Sequence, residues 1–290
     1  MKLLVLGATG MAGHMIAIYL LEQGHDVTSY SRRPFPYCKC VTEDIREVEK
    51  LTALLKKENY DAVINCIGIL NDNCEQDITS TIFLNSLLPH FLVRELKDIN
   101  NNKTKLIHLS TDCVFSGKIG NYDEYSKTDG ETLYDRSKAL GEVNDSINLT
   151  FRNSIIGPDM HPNGRGLFNW FIKQNGPVNG YINAIWTGVT TLTLAAAIEK
   201  ALETDLKGLY HLVNNQPIDK YSLLQLLNQC FCDNRIMIYP YENIKINKSL
   251  VNTRNDFSFI VPTYEKMVED MHKWVSDHKE LYPHYRNVIR

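Results

Sequence analysis

Residues 3–13 read LLVLGATGMAG, and this stretch decides the fold. Leu3 to Leu6 is a short aliphatic run that favours a strand, and three glycines, Gly7, Gly10 and Gly13, follow it. The residues from Met11 to Gln23 have the pattern of a helix. A strand that turns through glycines into a helix presents backbone amides to which a phosphate can bind. The stretch therefore predicts the first strand, loop and helix of a nucleotide-binding α/β fold.

The same alternation of short strands and longer helices continues through the first two thirds of the chain. It predicts strands at 26–30, 62–66, 105–110, 149–152 and 208–213, and helices at 43–58, 78–96 and 134–143. Beyond residue 156, loop signals flank a predicted aromatic helix at 167–174. We expect a Rossmann fold, a doubly wound parallel sheet, in residues 1–157 and about 184–214. A smaller α+β substrate-binding lobe is expected in about 158–183 and 215–290.

Composition excludes several classes of protein. The 290 residues include 31 Lys+Arg and 34 Asp+Glu, so no global positive charge would attract a nucleic acid. The seven cysteines are odd in number and scattered, which disfavours a disulfide framework, and their C-x-C pairs lack the spacing of a metal site. No apolar run is long enough to cross a membrane. We expect a cytoplasmic enzyme with free thiols and no metal.

The end of the second predicted strand bears on the choice of cofactor. Enzymes that bind NAD place a carboxylate there, whereas this chain has Ser31, Arg32 and Arg33. Guanidinium groups bind a 2′-phosphate that a carboxylate would repel, so NADP(H) is the expected cofactor. Two alternatives stay open at this point: a glycine turn without a ligand, and two ordinary solvated arginines.

A second pattern suggests a reaction centre. Tyr134 and Lys138 are four residues apart and so share one face of a predicted helix, where an ammonium group would lower the pKa of the phenol. Thr111 follows a buried strand, at the edge of the sheet where ligands bind in open α/β folds. We expect Thr111 to hydrogen-bond a carbonyl group that Tyr134 protonates.

Together these signatures resemble the extended short-chain dehydrogenase/reductases. The run Ser110–Phe115 (STDCVF) and the run Arg152–Pro158 (RNSIIGP) resemble the dTDP-4-dehydrorhamnose reductase group. The resemblance implies a homodimer that packs through the helices at 78–96 and 134–143, with a monomer as the alternative. It also implies cofactor contacts from the following residues: Gly7, Thr9, Gly10, Met11, Gly13, Ser31, Arg32, Arg33, Asp44, Ile45, Cys66, Ile67, Gly68, Tyr134 and Lys138.

Cys113 departs from the simple reductases of this group, which usually carry tyrosine there. A cysteine resembles the bifunctional 3,5-epimerase/4-reductases, above all the UDP-L-rhamnose synthases of plants and giant viruses. That resemblance implies that Cys113 and Lys173, the latter in an N-x3-K motif, act as the two acid/base groups of epimerisation, with His161 as a substitute for Lys173. A simple buried cysteine and a solvated lysine remain the alternatives.

The expected substrate is a nucleotide sugar. The resemblance implies conversion of UDP-4-keto-6-deoxy-D-glucose to UDP-L-rhamnose by epimerisation at C3 and C5 and NADPH-dependent reduction at C4. The alternatives are a monofunctional dTDP-4-dehydrorhamnose reductase and a non-catalytic NADP-binding regulatory subunit. No residue selects uracil over thymine or guanine. The candidate substrate-binding residues are Asn153, Asn163, Arg165, Trp186 and Arg254.

Overall fold

The computed structural model describes residues 1–70, 73–97, 99 and 103–286. Its strands are β1 (Lys2–Leu6), β2 (Asp26–Ser31), β3 (Lys39–Thr42), β4 (Ala62–Asn65), β5 (Lys105–Ser110), β6 (Leu149–Arg152), β7 (Ile155–Ile156), β8 (Val178–Tyr181), β9 (Ala184–Trp186), β10 (Val189–Thr190), β11 (Gly208–His211), β12 (Ile218–Asp219), β13 (Ile238–Tyr241) and β14 (Ile246–Asn247). Its α-helices are α1 (Met11–Glu22), α2 (Val48–Lys57), α3 (Asn73–Gln76), α4 (Ile78–Thr81), α5 (Leu88–Lys97), α6 (Leu133–Leu140), α7 (Leu167–Phe171), α8 (Thr191–Leu202), α9 (Lys220–Cys232) and α10 (Tyr264–Asp277). Throughout the described residues, every helix is too short or too polar to cross a bilayer.

Seven parallel strands form the central sheet, in the order β11-β6-β5-β4-β1-β2-β3. The chain runs outward from β1 to β3 and then crosses to β4 on the other side of β1. Ligands of open α/β sheets bind where the strand order reverses in this way. The predicted Rossmann fold is confirmed, and its switch point lies between β1 and β4.

Both faces of the sheet are covered by apolar side chains. Along β1, Leu3 and Val5 join one hydrophobic cluster while Leu4 and Leu6 join another, because successive side chains of a strand point to opposite faces. Helices α1 and α8 contribute to the first cluster, and α2 and α5 to the second. The continuous aliphatic run of β1 is thus explained by burial on both sides.

A second lobe is built from short strands and two long helices. Strand β9 pairs with β12 and β14, and β8 pairs with β13. Helices α9 and α10 pack on each other beside these strands. β9 lies within 184–214, which we expected to return to the first domain, yet its hydrogen-bonding partners belong to the second lobe. The parts of the predicted division at 71–72, 98, 100–102 and 287–290 lie outside the described residues.

The predicted helix at 78–96 is interrupted. Residues Ile82–Leu87 form a π-helix between α4 and α5, and the backbone N–H of Leu88 donates to the carbonyl of Phe83, five residues back. Pro89 follows and has no N–H to donate to the carbonyl of Asn85. The side chain of Asn85 accepts a 2.8 Å hydrogen bond from the Ile69 amide and donates a 3.0 Å bond to Ser137 Oγ. The irregular segment therefore ties the loop after β4 to α6.

The predicted helix at 43–58 is also shorter than expected. It begins at Val48, and the unpredicted strand β3 pairs with β2 before it. β3 is the edge strand of the sheet, and its residues are exposed or only partly buried. Without a buried face, its sequence shows little of the apolar pattern that marks the inner strands.

A buried histidine, His14, links the start of α1 to Tyr282. The Nδ1 of His14 lies 3.0 Å from the Gly10 carbonyl, and its Nε2 lies 2.9 Å from the hydroxyl of Tyr282. The indole of Trp274, on α10, donates a 3.3 Å hydrogen bond to the same hydroxyl. This chain of contacts connects the glycine loop to the second lobe.

Candidate functional site

The glycine loop after β1 needs its small residues for different reasons. Gly7 has a φ of 81°, a left-handed conformation that favours glycine. A β-carbon on Gly13 would overlap the Gly7 carbonyl, so the loop and the first turn of α1 can touch only with glycine there. A β-carbon on Gly10 would make only an ordinary van der Waals contact with the Gly7 carbonyl oxygen. It lines the adjacent cleft, and its missing β-carbon leaves that cleft open.

A cleft of about 320 Å³ opens at the switch point of the sheet. It brings together most of the residues predicted to contact the cofactor. These are Gly7, Thr9, Gly10, Ser31, Arg32, Arg33, Asp44, Ile45, Cys66, Ile67 and Gly68. Of the others, Met11 and Gly13 lie in the first turn of α1, and Tyr134 and Lys138 lie on α6.

Charges at the outer end of this cleft favour an anion. Asp44 is held by Arg46 at 2.6 Å, and this guanidinium lowers the pKa of Asp44 to about 2. Glu43 is paired with Lys50 at 2.7 Å. Arg32 and Arg33 are exposed and take part in none of the ion pairs seen among the described residues, so they remain available for a ligand phosphate.

Thr111 begins the turn that holds the predicted reaction centre. It caps a short 3-10 helix, Asp112–Val114, and its Oγ1 accepts a 3.1 Å hydrogen bond from the Cys113 amide. The same hydroxyl donates to Asp112 Oδ1 at 3.1 Å. These bonds fix the threonine and cysteine side by side at the carboxyl end of β5.

Tyr134 and Lys138 are buried one turn apart on α6, as their spacing predicts. The expected lowering of the tyrosine pKa by Lys138 is wrong for this structure. Burial raises the pKa of Tyr134 well above its usual range; the neighbouring Cys113 adds to the rise and the Thr111 hydroxyl opposes it. The phenol is therefore protonated and can act as an acid. Lys138 donates a 2.7 Å hydrogen bond to the Leu109 carbonyl, and burial lowers its pKa to about 8.

The surroundings of Cys113 favour the protonated thiol over the thiolate. Burial, reinforced by the charge of Asp112, raises the pKa of Cys113 to about 12, and the more distant Lys248 opposes this only in part. A thiolate nucleophile needs the opposite environment. The Thr111 hydroxyl acts to lower the pKa of Cys113 and that of Tyr134, so both proton donors lie near this hydroxyl.

Three of the predicted residues are placed elsewhere. Lys173 is exposed and donates a 2.6 Å hydrogen bond to the Pro162 carbonyl. His161 is also exposed, and its Nδ1 accepts from a backbone amide of its own loop. The guanidinium of Arg254 donates hydrogen bonds to the carbonyls of Lys207 and Leu209 and forms an ion pair with Asp256. These contacts occupy the guanidinium and hold the segment around Arg254 against β11.

The other predicted substrate contacts fall into two pairs. Asn153 and Trp186 are buried, and neither Asn153 Nδ2 nor Trp186 Nε1 has a hydrogen-bond partner among the described residues. Buried donors of this kind normally have a partner, so both are suited to a bound ligand. Asn163 and Arg165 lie on an exposed loop, where the Arg165 guanidinium contacts the side-chain amide of Asn73.

Lys220 is a residue that the sequence reasoning missed. It is the first residue of α9, and its Nζ lies 4.6 Å from the centre of the Trp186 ring. A lysine in the first turn opposes the helix dipole, which was the available signal. Burial lowers the pKa of Lys220 to about 8, and the charges that oppose this shift belong to Asp112 and Cys113.

Known proteins with similar sequences include proteins of glycan and polysaccharide biosynthesis. The chain is 34% identical over 142 residues to the probable low-salt glycan biosynthesis reductase Agl14 of Haloferax volcanii, covering 48% of this chain and 46% of the relative. It is 26% identical over 222 residues to the spore coat polysaccharide biosynthesis protein SpsK of Bacillus subtilis, covering 74% of each chain. The chain thus spans about half of the length of the Haloferax relative.

Solved structures show the same fold at lower identity. A hypothetical dTDP-4-dehydrorhamnose reductase from Sulfolobus tokodaii has a TM-score of 0.76 and 22% identity, covering 91% of this chain and 98% of the other. The Bacillus anthracis dTDP-4-dehydrorhamnose reductase, crystallised with NADP, has a TM-score of 0.78 and 18% identity over 94% and 99%. The family model described as RmlD substrate binding domain matches residues 1–155, more than half of the chain. This protein therefore belongs to the RmlD substrate-binding-domain family.

Proposed function

We propose that this protein is an NADPH-dependent reductase of a nucleotide-linked 4-keto sugar. The observation that carries this proposal is the protonated Tyr134 phenol beside the Thr111 hydroxyl, at the sheet edge that also holds the glycine cleft. Membership of the RmlD family supports it. So do the names of relatives, among them the dTDP-4-dehydrorhamnose reductase of Mycobacterium tuberculosis, 26% identical over 147 residues.

The cleft residues fit NADP(H). Gly7 and Gly10 leave room for the diphosphate, and Arg32 and Arg33 would bind the 2′-phosphate. When bound, this cofactor supplies the hydride for the ketone carbon. Tyr134 donates its proton to the ketone oxygen, and the Thr111 hydroxyl, which donates to Asp112 Oδ1 in this structure, turns to donate a hydrogen bond to the same oxygen. Lys138 donates to the Leu109 carbonyl and lies one turn after Tyr134 on the same helix.

We further propose that the protein epimerises its substrate before reducing it. A ketone at C4 acidifies the protons on C3 and C5, so inversion needs a base, a stabilised enolate and an acid. The Thr111 and Tyr134 donors that would bind the ketone are suited to the enolate as well. The Cys113 thiol, protonated and two residues from Thr111, would supply the acid. The finer assignment is UDP-4-keto-6-deoxy-D-glucose as substrate and UDP-L-rhamnose as product.

The experiment uses the unepimerised 4-keto sugar, linked to UDP or to dTDP, in deuterated water. With NADPH present, we expect deuterium at C3 and C5 of the product. A reduced product without deuterium would support a monofunctional reductase, which the names of the mycobacterial relatives favour. Failure to oxidise NADPH with these sugars, and with an epimerised 4-keto sugar, would overturn the proposal.

We propose that two copies of this protein form a homodimer through the outer face of the π-helix and α6. These two segments contact each other, and Ile82, Leu87 and Leu140 are 50%, 54% and 70% exposed. Apolar side chains grouped in this way suit a symmetric interface between two copies. Leu140→Glu should shift the protein to monomers in sedimentation velocity. Ile119→Glu, at a site that is 78% exposed and lies outside these two segments, should leave the sedimentation coefficient unchanged.

A further inference from the structure

Lys220 occupies an unusual position for a lysine. Asp219 caps α9 by accepting a 2.8 Å hydrogen bond from the Ser222 amide, so the chain direction at this helix start is fixed. The Lys220 residue as a whole is partly exposed, but its ammonium group turns inward over the Trp186 ring. A cation on an aromatic face is stabilised there even where water is scarce. The side chain is thus held away from the solvent that most lysines reach.

The groups around this ammonium are those of the reaction centre. Asp112 and Cys113 face it from the turn after β5, and their charges act on the pKa of Lys220. Lys248 acts on the same turn from the segment after β14. Nevertheless, Lys220 joins no ion pair or hydrogen bond that the structure shows within the described residues. The amine of Lys220 is therefore available to a ligand beside the Trp186 ring.

We propose that Lys220 is the second acid/base residue of the epimerisation and acts together with Cys113. The inference rests on the proposed function. The neutral amine of Lys220 removes the proton from the carbon next to the ketone, and the electron pair of that C–H bond moves to the ketone oxygen as an enolate. The thiol of Cys113 then donates its proton to the opposite face of that carbon. The ammonium of Lys220 and the thiolate of Cys113 recover their starting forms by exchanging a proton through solvent.

The protonation states favour this division of roles over the reverse one. With a pKa of about 8, Lys220 has a neutral fraction near neutral pH, whereas Cys113, with a pKa of about 12, remains a thiol. The exchange rate should accordingly rise with pH and level off above about pH 8. Lys173, the lysine of the N-x3-K motif, is exposed and bound to a backbone carbonyl, and so offers no such base.

The test measures deuterium exchange at C3 and C5 of the unepimerised 4-keto sugar, and separately the reduction of an epimerised one. Lys220→Met should lower exchange by roughly 100-fold or more, the usual range for loss of a general base, and should lower reduction much less. Lys173→Met is the matched control and should keep wild-type exchange. Lys220→Arg, which keeps the charge but cannot act as a base near neutral pH, should also lose exchange.

The outcomes separate the two proposals. If the wild-type protein reduces the epimerised sugar but exchanges no deuterium, the bifunctional assignment fails and Lys220 has no epimerase role. If the wild type exchanges and Lys220→Met exchanges equally, only the inference on Lys220 is overturned. Equal loss of exchange and reduction in both Lys220 variants, with NADPH binding intact, would assign Lys220 to substrate binding and also overturn it. Loss of the rise with pH in any residual Lys220→Met activity would support it.

Discussion

Gly13 in the first turn of α1 packs directly against the carbonyl group of Gly7, so the glycine loop leaves no space for a side chain between them. The close approach brings the start of the helix to the end of β1. Its amides then line up behind the cleft, where a phosphate would bind.

Replacing Gly13 should disrupt the loop. We expect Gly13→Ala to destabilise the protein by about 1–3 kcal/mol, as overpacking does, and to weaken NADPH binding strongly because the loop must open. Gly176→Ala is the control, since a β-carbon there has no neighbour within 4 Å. Thermal melting and fluorescence titration with NADPH would measure the two effects. Unchanged affinity in Gly13→Ala would contradict the proposed location of the cofactor.

Arg32 and Arg33 should determine the preference for NADPH over NADH. The double variant Arg32→Ala/Arg33→Ala loses its hydrogen bonds to a charged phosphate, which typically corresponds to a loss of roughly 10- to 100-fold in affinity. NADH affinity should hardly change. Arg94→Ala, an exposed arginine on α5, should bind both cofactors like the wild type. An equal loss for both cofactors would argue against recognition of the 2′-phosphate.

Tyr134 should be required for reduction but not for cofactor binding. Tyr134→Phe removes only the hydroxyl, so we expect kcat to fall by about 10²- to 10⁴-fold while NADPH affinity is retained. Tyr125→Phe, at 86% exposure, serves as control. A Tyr134→Phe variant with nearly full activity would show that another group protonates the ketone oxygen.

Substitution of Cys113 should affect epimerisation and reduction to different extents. In Cys113→Ala the proton donor for epimerisation is gone, so deuterium exchange should fall far more than reduction of an already epimerised sugar. Cys74→Ala is a suitable control, because that thiol is buried and donates to the Ile69 carbonyl. Equal losses in both reactions would point to a structural role for Cys113 in the turn after Thr111.

A buried ion pair beneath the reaction centre should contribute to stability. Glu142 accepts two hydrogen bonds from the guanidinium of Arg152, at 2.8 and 2.5 Å, and both side chains are almost fully buried. Glu142→Gln would leave a buried guanidinium without its counter-charge, a change that costs about 3–5 kcal/mol of unfolding free energy. Glu203→Gln, in an exposed pair with Lys200, should leave urea denaturation unchanged.

The centre of the sheet could be predicted from the sequence because β1 and β4 are buried on both faces and read as short apolar runs. β3 at the edge has no such pattern, and the interruption at Ile82–Leu87 depends on Pro89 in a segment whose apolar spacing is otherwise helical. Local motifs likewise indicated Thr111, Tyr134 and Lys138. Lys220 could not be found from such motifs, because its contact with Trp186 depends on how the second lobe packs. Lys173 matched a motif, but it lies in the turn after α7, at the surface.

The contacts from His14 through Tyr282 to Trp274 should make the fluorescence of Trp274 sensitive to the glycine loop. The indole of Trp274 shares the Tyr282 hydroxyl with an imidazole that touches the glycine loop, so its emission senses events at that loop. Only two other tryptophans, Trp170 and Trp186, are present in the sequence. Exchanging both for phenylalanine would leave a single emitter with which nucleotide occupancy can be followed in real time without attaching a dye.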